Sequence, residues 1–365
     1  MKKFLQLEST EKIIATLISI FAGMMFGLVV MLLINPTMAF GGLSAILLTG
    51  VSKGLPGFGN VLFNSAPLIL TGLAVAFAFK TGLFNIGVSG QLMIGAFVAV
   101  FIGVQWGFLG PFHWVVAMLG GILGGMLWAL IPALLKAYRN VHEVVATIMM
   151  NYIAMYVSKM LIEATIYDTV RQEAREVIAS GRIPKLFLDS IFDFNKLNGG
   201  ILFAILVGAL IYIVLEKTTF GFQLKAVGFN RDAAKYAGVN DKRNIVYSLL
   251  ISGAIAGLAG AVIYLVPGTG IKLETKYAIS PYGFQGIAVA LLGMSNPIGT
   301  IFSGFFLGYI ESANQELQSW DFKREIIDII SASIIYFSAF TLYFQKYAKK
   351  YIGKLLTKKG GESHE

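Results

Sequence analysis

Several uncharged polar residues lie inside long apolar stretches of this chain, with aromatic residues beside them. An amide side chain both donates and accepts hydrogen bonds without carrying a charge. Such a group is costly in lipid unless it faces a cavity or another polar group. We interpret the following residues as the lining of a path for an uncharged polar solute, the alternative being amides that bond one helix to another: Asn85, Gln91, Asn151, Gln285, Phe84 and Tyr152.

The residues typical of catalysis or metal binding are missing or scattered. The chain has no cysteine, which excludes a thiolate site, and its three histidines, His113, His142 and His364, are far apart in the sequence. Gly87-Val-Ser89-Gly90 matches the Gly-x-Ser-Gly of intramembrane serine proteases. That chemistry needs a base for the serine proton, and His113 and His142 fall at the ends of predicted spans. We therefore expect neither an enzyme nor a metal site.

The elements that carry the polar residues are apolar runs of membrane-spanning length. Of the 365 residues, 56% are hydrophobic and 13% are charged, against about 25% charged in soluble domains. A crossing helix needs roughly 20 apolar residues. We predict an all-α polytopic membrane protein with ten spans, at 13–34, 61–79, 84–104, 112–135, 142–162, 199–215, 244–266, 283–294, 298–315 and 326–345. The first run is longer than a signal-peptide core, which favours a retained span.

The basic residues predict the orientation. With both termini in the cytoplasm, the inner segments hold 18 of the 29 Lys and Arg, and a large outer loop at 164–198 is mixed in charge. Positive residues are enriched on the cytoplasmic side of membrane proteins. We therefore predict one transmembrane domain over 1–345 with both ends inside, followed by a basic tail at 346–365 that contacts lipid. Because the basic residues flank apolar runs, a nucleic-acid partner is excluded.

Two of the predicted spans are irregular. The eighth, 283–294, has 12 residues, about 18 Å of helix, against a hydrocarbon core of about 30 Å. The third opens with the glycine-rich stretch 82–91. Gly-interrupted segments in corresponding places of two halves are typical of a transport path. If spans two to five recur as spans seven to ten, the halves form an inverted repeat with broken helices.

Small and acidic residues supply two further expectations. The pairs Gly120/Gly124, Gly121/Gly125, Gly253/Gly257 and Gly304/Gly308 predict close helix packing. The carboxylates Glu311, Glu325 and Asp328 lie near the outer ends of the last two spans. We interpret these carboxylates as interfacial charges, the alternative being a gate or proton relay.

One polar stretch, 216–243, predicts a short helix that docks on a partner. Asn230 suits an N-cap, Asp232 falls in the first helical turn, and Gly238 suits a left-handed C-terminal position. A two-turn helix is unstable alone in water, so it must pack against something. The alternative is an amphipathic helix lying on lipid. The residues we assign to docking are Gly228, Asn230, Asp232, Ala233, Ala234, Tyr236 and Gly238.

These stretches together resemble a known family. The segment 216–243 is similar to the coupling-helix region of permease subunits of bacterial ABC importers for simple sugars, branched-chain amino acids and nucleosides. Residues 83–91, Leu-Phe-Asn-Ile-Gly-Val-Ser-Gly-Gln, and 286–293, Gly-Ile-Ala-Val-Ala-Leu-Leu-Gly, resemble two further family blocks. Residues 141–152, Val-His-Glu-Val-Val-Ala-Thr-Ile-Met-Met-Asn-Tyr, resemble a signature of the nucleoside branch. Position 89 is Ser where many relatives are acidic, and position 142 is His where Asn is usual.

The resemblance implies a fold, partners and a substrate. The fold would be that of vitamin B12 permease-like (type II) importers in the bacterial cell membrane, and this chain would be the longer of two paired permeases. The chain has no Gly-x-x-x-x-Gly-Lys-Ser/Thr phosphate loop, so a separate ABC ATPase would bind ATP and this chain no cofactor. An extracellular binding lipoprotein would deliver a nucleoside, whose ring and hydroxyl groups suit amides and aromatics. Sugars and branched-chain amino acids remain alternative substrates, and an ion-coupled secondary transporter remains the alternative of another class.

Overall fold

The structure is a computed structural model that describes residues 2–194, 196–266, 273, 277–323, 325–338, 340 and 343. Within these residues the chain is almost entirely helical. The helices are α1 (Lys2–Ile34), α2 (Ala39–Ser52), α3 (Gly54–Lys80), α4 (Val88–Gln105), α5 (His113–Arg139), α6 (Glu143–Thr165), α7 (Leu188–Phe192), α8 (Gly200–Lys217), α9 (Thr219–Phe229), α10 (Arg231–Tyr236), α11 (Asp241–Tyr264), α12 (Tyr282–Leu292), α13 (Pro297–Ser312), α14 (Asn314–Gln318) and α15 (Glu325–Ser338). Strands β1 (Tyr167–Asp168) and β2 (Glu173–Ala174) pair antiparallel, and 3₁₀ turns cover Gly107–Phe112 and Ala179–Gly181.

Seven of the described helices are long and apolar enough to cross a membrane: α1, α3, α4, α5, α6, α8 and α11. Helices also occupy the other three predicted spans, as α12, α13 and α15, although each of these is shorter than the seven helices above. Helix α2 was not predicted, because its apolar run is short and contains Gly41, Gly42 and Gly50. At 14 residues, or about 21 Å, α2 is shorter than a crossing. The predicted tail at 346–365 and most of 339–345 lie outside the described residues.

The chain divides into two compact units, Met1–Thr49 with Ala313–Glu365 (unit 1) and Gly50–Ser312 (unit 2). In unit 1, α1 packs against α15, where Gly23 lies on Ile334 and Gly27 on Ile330. The rings of Phe26 and Phe337 add a contact at 6.4 Å between centroids. Small residues on α1 therefore let α15 approach closely. The single permease domain predicted for 1–345 stays a prediction.

Unit 2 is built around two long buried helices, α3 and α11. Helix α11 packs against α4 and α5, and α3 packs against α12 and α13. The two central helices are antiparallel, because Thr81 Oγ1 donates to Ser248 Oγ at 2.8 Å while Ser252 Oγ donates to the Ala74 carbonyl at 2.6 Å. Each central helix therefore packs on the pair of helices that follows the other one in the chain.

The predicted Gly-x-x-x-Gly pairs form the tightest of these crossings. Gly121 and Gly125 of α5 lie on the backbone of Gly257 and Gly253 of α11. Gly304 and Gly308 of α13 lie on the backbone of Ile69 and Ser65 of α3. Both crossings are antiparallel, since the residue numbers rise on one helix as they fall on the other. The prediction that these pairs serve helix packing is confirmed.

Both predicted irregular segments are also confirmed. Helix α3 ends at Lys80 and α4 begins only at Val88, after a link in which Gly82 has φ +71°. Helix α12 has 11 residues, about 16 Å. The first turns of α4 and α12 meet, because Gly283 lies directly on the backbone of Ser89.

Candidate functional site

A cluster of amides fills the break between α3 and α4; we call Asn85, Gln91 and Asn151 the amide cluster. Asn85 Nδ2 donates to Gln91 Oε1 at 3.0 Å and to Ser252 Oγ at 2.8 Å. Asn85 Oδ1 accepts from the Gly87 amide at 3.0 Å and from Gln91 Nε2 at 3.3 Å. Both amide side chains are at most 1% exposed. Their hydrogen-bonding groups therefore serve each other and the interrupted backbone.

Asn151 closes the same cluster from α6. Its Nδ2 donates to the Ile86 carbonyl at 2.9 Å, and its Oδ1 accepts from the Gly90 amide at 2.8 Å. Backbone groups freed by a break at membrane depth need such partners. The sequence thus identified residues that the fold brings together. Their direct contact with a solute stays a prediction, and the geometry accounts for them as partners of the broken backbone.

The remaining residues of the predicted path are more accessible. Gln285 is half-buried, and its Nε2 donates to Glu311 Oε1 at 2.8 Å. Phe84 is 38% exposed and stacks on Phe79 with ring centroids 4.9 Å apart. Tyr152 of α6 is 50% exposed. These three residues offer surfaces to a solute that the amide cluster does not.

Ser89 and His113 have partners that exclude the protease geometry. Ser89 Oγ donates to the Ser280 carbonyl at 2.9 Å. His113 is fully buried, with Nδ1 2.9 Å from Ser180 Oγ and Nε2 2.8 Å from the Ile102 carbonyl. Because a carbonyl only accepts, Nε2 carries the hydrogen and Nδ1 accepts from the serine. The histidine ties α4 and α5 to the 3₁₀ turn at Ala179–Gly181, a role that no sequence signal indicated.

The predicted docking helix is α10, and both of its predicted ends are confirmed. Asn230 is its N-cap, with Oδ1 accepting from the Ala233 amide at 2.9 Å. Gly238 has φ +83°. Asp232 lies in the first turn and is exposed. Arg231 holds the helix in place through Asp241 Oδ2 at 2.7 Å and Asn140 Oδ1 at 3.3 Å.

One face of this segment is buried and the other is open. Ala234 is 5% exposed and packs in an apolar cluster with Leu83, whereas Ala233 is exposed. Phe229 and Tyr236 are each 95% exposed. Tyr236 was predicted as an anchor, but Phe229 was missed, although its place between Gly228 and Asn230 in a polar loop is a usable signal. The docking role of this surface stays a prediction.

We call residues 228–238 the docking segment. Its first residue, Gly228, lies against the break before α4. A Cβ atom there would collide with the Lys80 carbonyl and lie 2.9 Å from the Gly82 amide nitrogen. The backbones therefore touch directly where α3 gives way to the link that holds Asn85.

The predicted outer loop carries a cavity of about 470 Å³. Trp114, Ile183 and Pro184 form its apolar wall, and Arg182 and Lys185 also line it. Arg182 is paired with Glu176 at 3.5 Å and Lys185 with Asp189 at 3.1 Å. In the described part of the chain, His, Asp and Glu form no group of three that could hold a metal ion.

Comparison with known proteins identifies the family. A family model described as "Branched-chain amino acid transport system / permease component" matches residues 57–339. The guanosine ABC transporter permease protein NupP of Bacillus subtilis is 39% identical over 352 residues, 95% of this chain and 97% of its own length. The nucleoside ABC transporter permease protein NupB of Lactococcus lactis is 32% identical over 97% of this chain and 99% of its own. No solved structure matches.

Weaker relatives, at 28–29% identity, include a glucose permease of Haloferax volcanii and the permeases NupQ and NupC of the same two bacteria. The pairs NupP with NupQ and NupB with NupC indicate a second permease partner in such systems. The relatives are transport components and not enzymes. With its membrane-spanning helices and a family match over most of its length, the chain belongs to the branched-chain amino acid transport system permease family, as a multi-pass cell-membrane permease of an ABC transporter.

Proposed function

We propose that this chain is the membrane-spanning subunit of an ATP-driven importer of nucleosides. The two relatives that match nearly its full length are named as guanosine and nucleoside permeases. The accessible residues Phe84, Tyr152 and Gln285 offer stacking and hydrogen bonds, which suit a planar base and a ribose. Amide and aromatic groups of this kind line the proposed path.

The docking segment carries the proposal of ATP-driven transport. No phosphate loop occurs in the sequence, so a separate ABC ATPase binds ATP and this chain needs no cofactor. The ATPase docks on the end of α9 and on α10 through the exposed rings of Phe229 and Tyr236, and the surface is shaped by Gly228, Asn230, Asp232, Ala233, Ala234 and Gly238. Buried aromatic anchors dominate protein interfaces, which supports these two residues as the main contacts.

The contact of Gly228 with the Lys80–Gly82 turn supports a route for the coupling. Force on the docking segment reaches that turn and then Asn85, which bonds to Gln91 of α4 and Ser252 of α11. Because the amide cluster is internally saturated, α4, α6 and α11 move as one body. In this proposal Asn85, Gln91 and Asn151 transmit movement and hold the path, whereas Gln285, Phe84 and Tyr152 face the solute.

In unit 2, α3 packs on the two helices that follow α11, and α11 packs on the two that follow α3. This packing supports an inverted repeat of α3–α5 and α11–α13. Antiparallel α3 and α11 with equivalent glycine crossings are what such a repeat produces. We extend this to the type II importer architecture of about ten spans with both termini in the cytoplasm. A related second permease completes the path, and an extracellular binding lipoprotein docks on the 164–198 loop, where the cavity beside Trp114 lies.

The test is uptake of radiolabelled guanosine, uridine, ribose and leucine by cells carrying the complete transporter. We expect nucleoside uptake that disappears when the partner ATPase is inactivated. Replacing both Phe229 and Tyr236 with Ala should reduce uptake at least about tenfold while the protein stays in the membrane, because truncating an interface anchor costs about 2 kcal/mol or more. Phe222→Ala, a ring 69% exposed on α9 outside the proposed contact, is the matched control.

Each alternative predicts a different result. Uptake that persists with an inactive ATPase and follows an ion gradient would establish a secondary transporter and overturn the proposal. Uptake of ribose or leucine alone would retain the ATP-driven importer and replace its substrate. Equal loss in the Phe222 control would show that the docking surface is assigned to the wrong residues.

A further inference from the structure

The exposed face of α6 differs from those of the neighbouring long helices of unit 2. The large exposed side chains in the body of α5 are aliphatic, including Leu119, Leu123 and Leu127, as are those of α8, including Leu206 and Leu210. Such faces suit lipid. On α6 the exposed face contains Tyr152 and Tyr156, which are 50% and 58% exposed.

The position of these tyrosines argues against an ordinary interfacial belt. Aromatic belts lie at the two ends of a membrane-spanning helix. Tyr152 and Tyr156 lie on either side of the middle of α6, which runs from Glu143 to Thr165. Two phenol groups at that depth need a partner other than lipid.

Tyr156 is also part of a cluster that the sequence did not reveal. The ring of Tyr277, which precedes α12, lies 5.5 Å from that of Tyr156 with the planes inclined by 53°. Lys159 Nζ lies 3.7 Å from the centroid of the Tyr277 ring and 3.6 Å from Glu163 Oε1. Tyr277 is 63% exposed. The two rings are in contact with each other, the ammonium group lies over the face of Tyr277, and more than half of each tyrosine stays exposed.

From this geometry we infer that Tyr156, Tyr277 and Lys159 form a base-binding subsite that favours guanine over adenine. The inference rests on the proposed nucleoside transport and names the part of the path that reads the base. Aromatic side chains stack on any base. The ammonium donates to the edge of guanine, which presents two acceptors, N7 and O6, whereas adenine shares the N7 acceptor but presents a donor at N6 in place of O6. Lys159 is therefore the specificity-determining residue and the two tyrosines supply affinity.

The experiment measures KM for guanosine, adenosine and uridine uptake by cells carrying the complete transporter. Tyr156→Ala should raise KM for all three nucleosides by about 5- to 100-fold, the loss expected for one stacking contact. Tyr156→Phe keeps the stacking ring and should raise KM far less than Tyr156→Ala, which separates loss of the ring from loss of the hydroxyl group. Leu127→Ala, which truncates a side chain of similar exposure on α5, should leave KM unchanged.

Lys159→Gln tests the specificity separately. We expect KM for guanosine to rise by about tenfold, as for loss of one good base contact, and KM for adenosine to change less than about twofold. Glu163→Gln is the matched control, since it removes the ion pair of Lys159 but keeps the ammonium group. If Glu163→Gln reproduces the Lys159→Gln effect, the lysine acts only through the ion pair and the inference is wrong.

Failure of the subsite is distinguishable from failure of the proposed function. A wild-type transporter without ATP-dependent nucleoside uptake overturns both. Normal wild-type uptake with unchanged KM in Tyr156→Ala overturns the subsite alone. Loss of co-purification of the second permease from Tyr156→Ala would assign the cluster to a subunit contact and would also overturn the subsite.

Discussion

Helices α4 and α12 each follow one of the two central helices of unit 2, and their first turns differ in what surrounds them. Each helix has a glutamine as its fourth residue, Gln91 in α4 and Gln285 in α12. Gln91 is 1% exposed and bonds to Asn85 inside the amide cluster. Gln285 is half-buried and bonds to the carboxylate of Glu311.

The difference separates two roles that the sequence could not distinguish. At α4 the amide side chains form hydrogen bonds with the broken backbone and with one another. The first turn of α4 is therefore held rigidly. At α12 the glutamine has an accessible surface and an acidic partner on α13, so this start can exchange hydrogen bonds with a solute. We infer that the first break holds the structure together and the second faces the path.

The largest effect should come from forcing apart the first turns of α4 and α12, which are in contact. In Gly283→Val the added side chain would collide with the backbone of Ser89, and neither helix can move away without losing its own packing. We expect almost no folded protein by size-exclusion chromatography of a fluorescent fusion. Gly107→Ala is the control, because its Cβ would meet only the end of the Ile178 side chain. A normal elution profile for Gly283→Val would mean that the starts do not touch.

A smaller loss should follow from opening the amide cluster. Asn85→Leu removes four hydrogen bonds and leaves buried partners unsatisfied. At about 0.6 kcal/mol for each bond within a membrane, the free energy of unfolding should fall by about 2 kcal/mol. Thermal unfolding of the solubilised protein measures this. Asn64→Leu serves as the control, since among the described residues the Asn64 amide bonds to Asn60, one turn earlier on α3. Equal shifts in the two variants would contradict a special role for Asn85.

The smallest effect on stability should come from a substitution in the first turn of α12. Gln285→Leu removes one half-buried hydrogen bond, so the free energy of unfolding should fall by less than about 1 kcal/mol. Uptake should nevertheless weaken, with a higher KM for nucleosides, because a surface of the path is lost. Gln91→Leu should show the reverse, a clear loss of stability. If Gln285→Leu and Gln91→Leu change stability and uptake in the same proportion, the proposed difference between the first turns of α4 and α12 is wrong.

Local features were predictable because they depend on neighbouring residues. Asn230 caps α10 and Gly238 adopts a positive φ, as expected from their side chains. The short α12 and the break before α4 follow from glycines in apolar runs. The partners Glu311 of Gln285 and Ser180 of His113 depend on contacts distant in sequence and could not be predicted.

The sequence by itself determined the class of protein, the approximate spans, the two broken helices, the capped helix in the polar loop 216–243 and the family. Only the tertiary structure decided that α3 packs on α12 and α13 while α11 packs on α4 and α5. It also decided that the amide cluster is buried and that Tyr156 and Tyr277 are exposed. The reason is that lipid is as apolar as a packed helix interface. Apolar periodicity in a membrane protein therefore does not tell which side of a helix faces lipid, another helix or a path, and helix packing makes that choice.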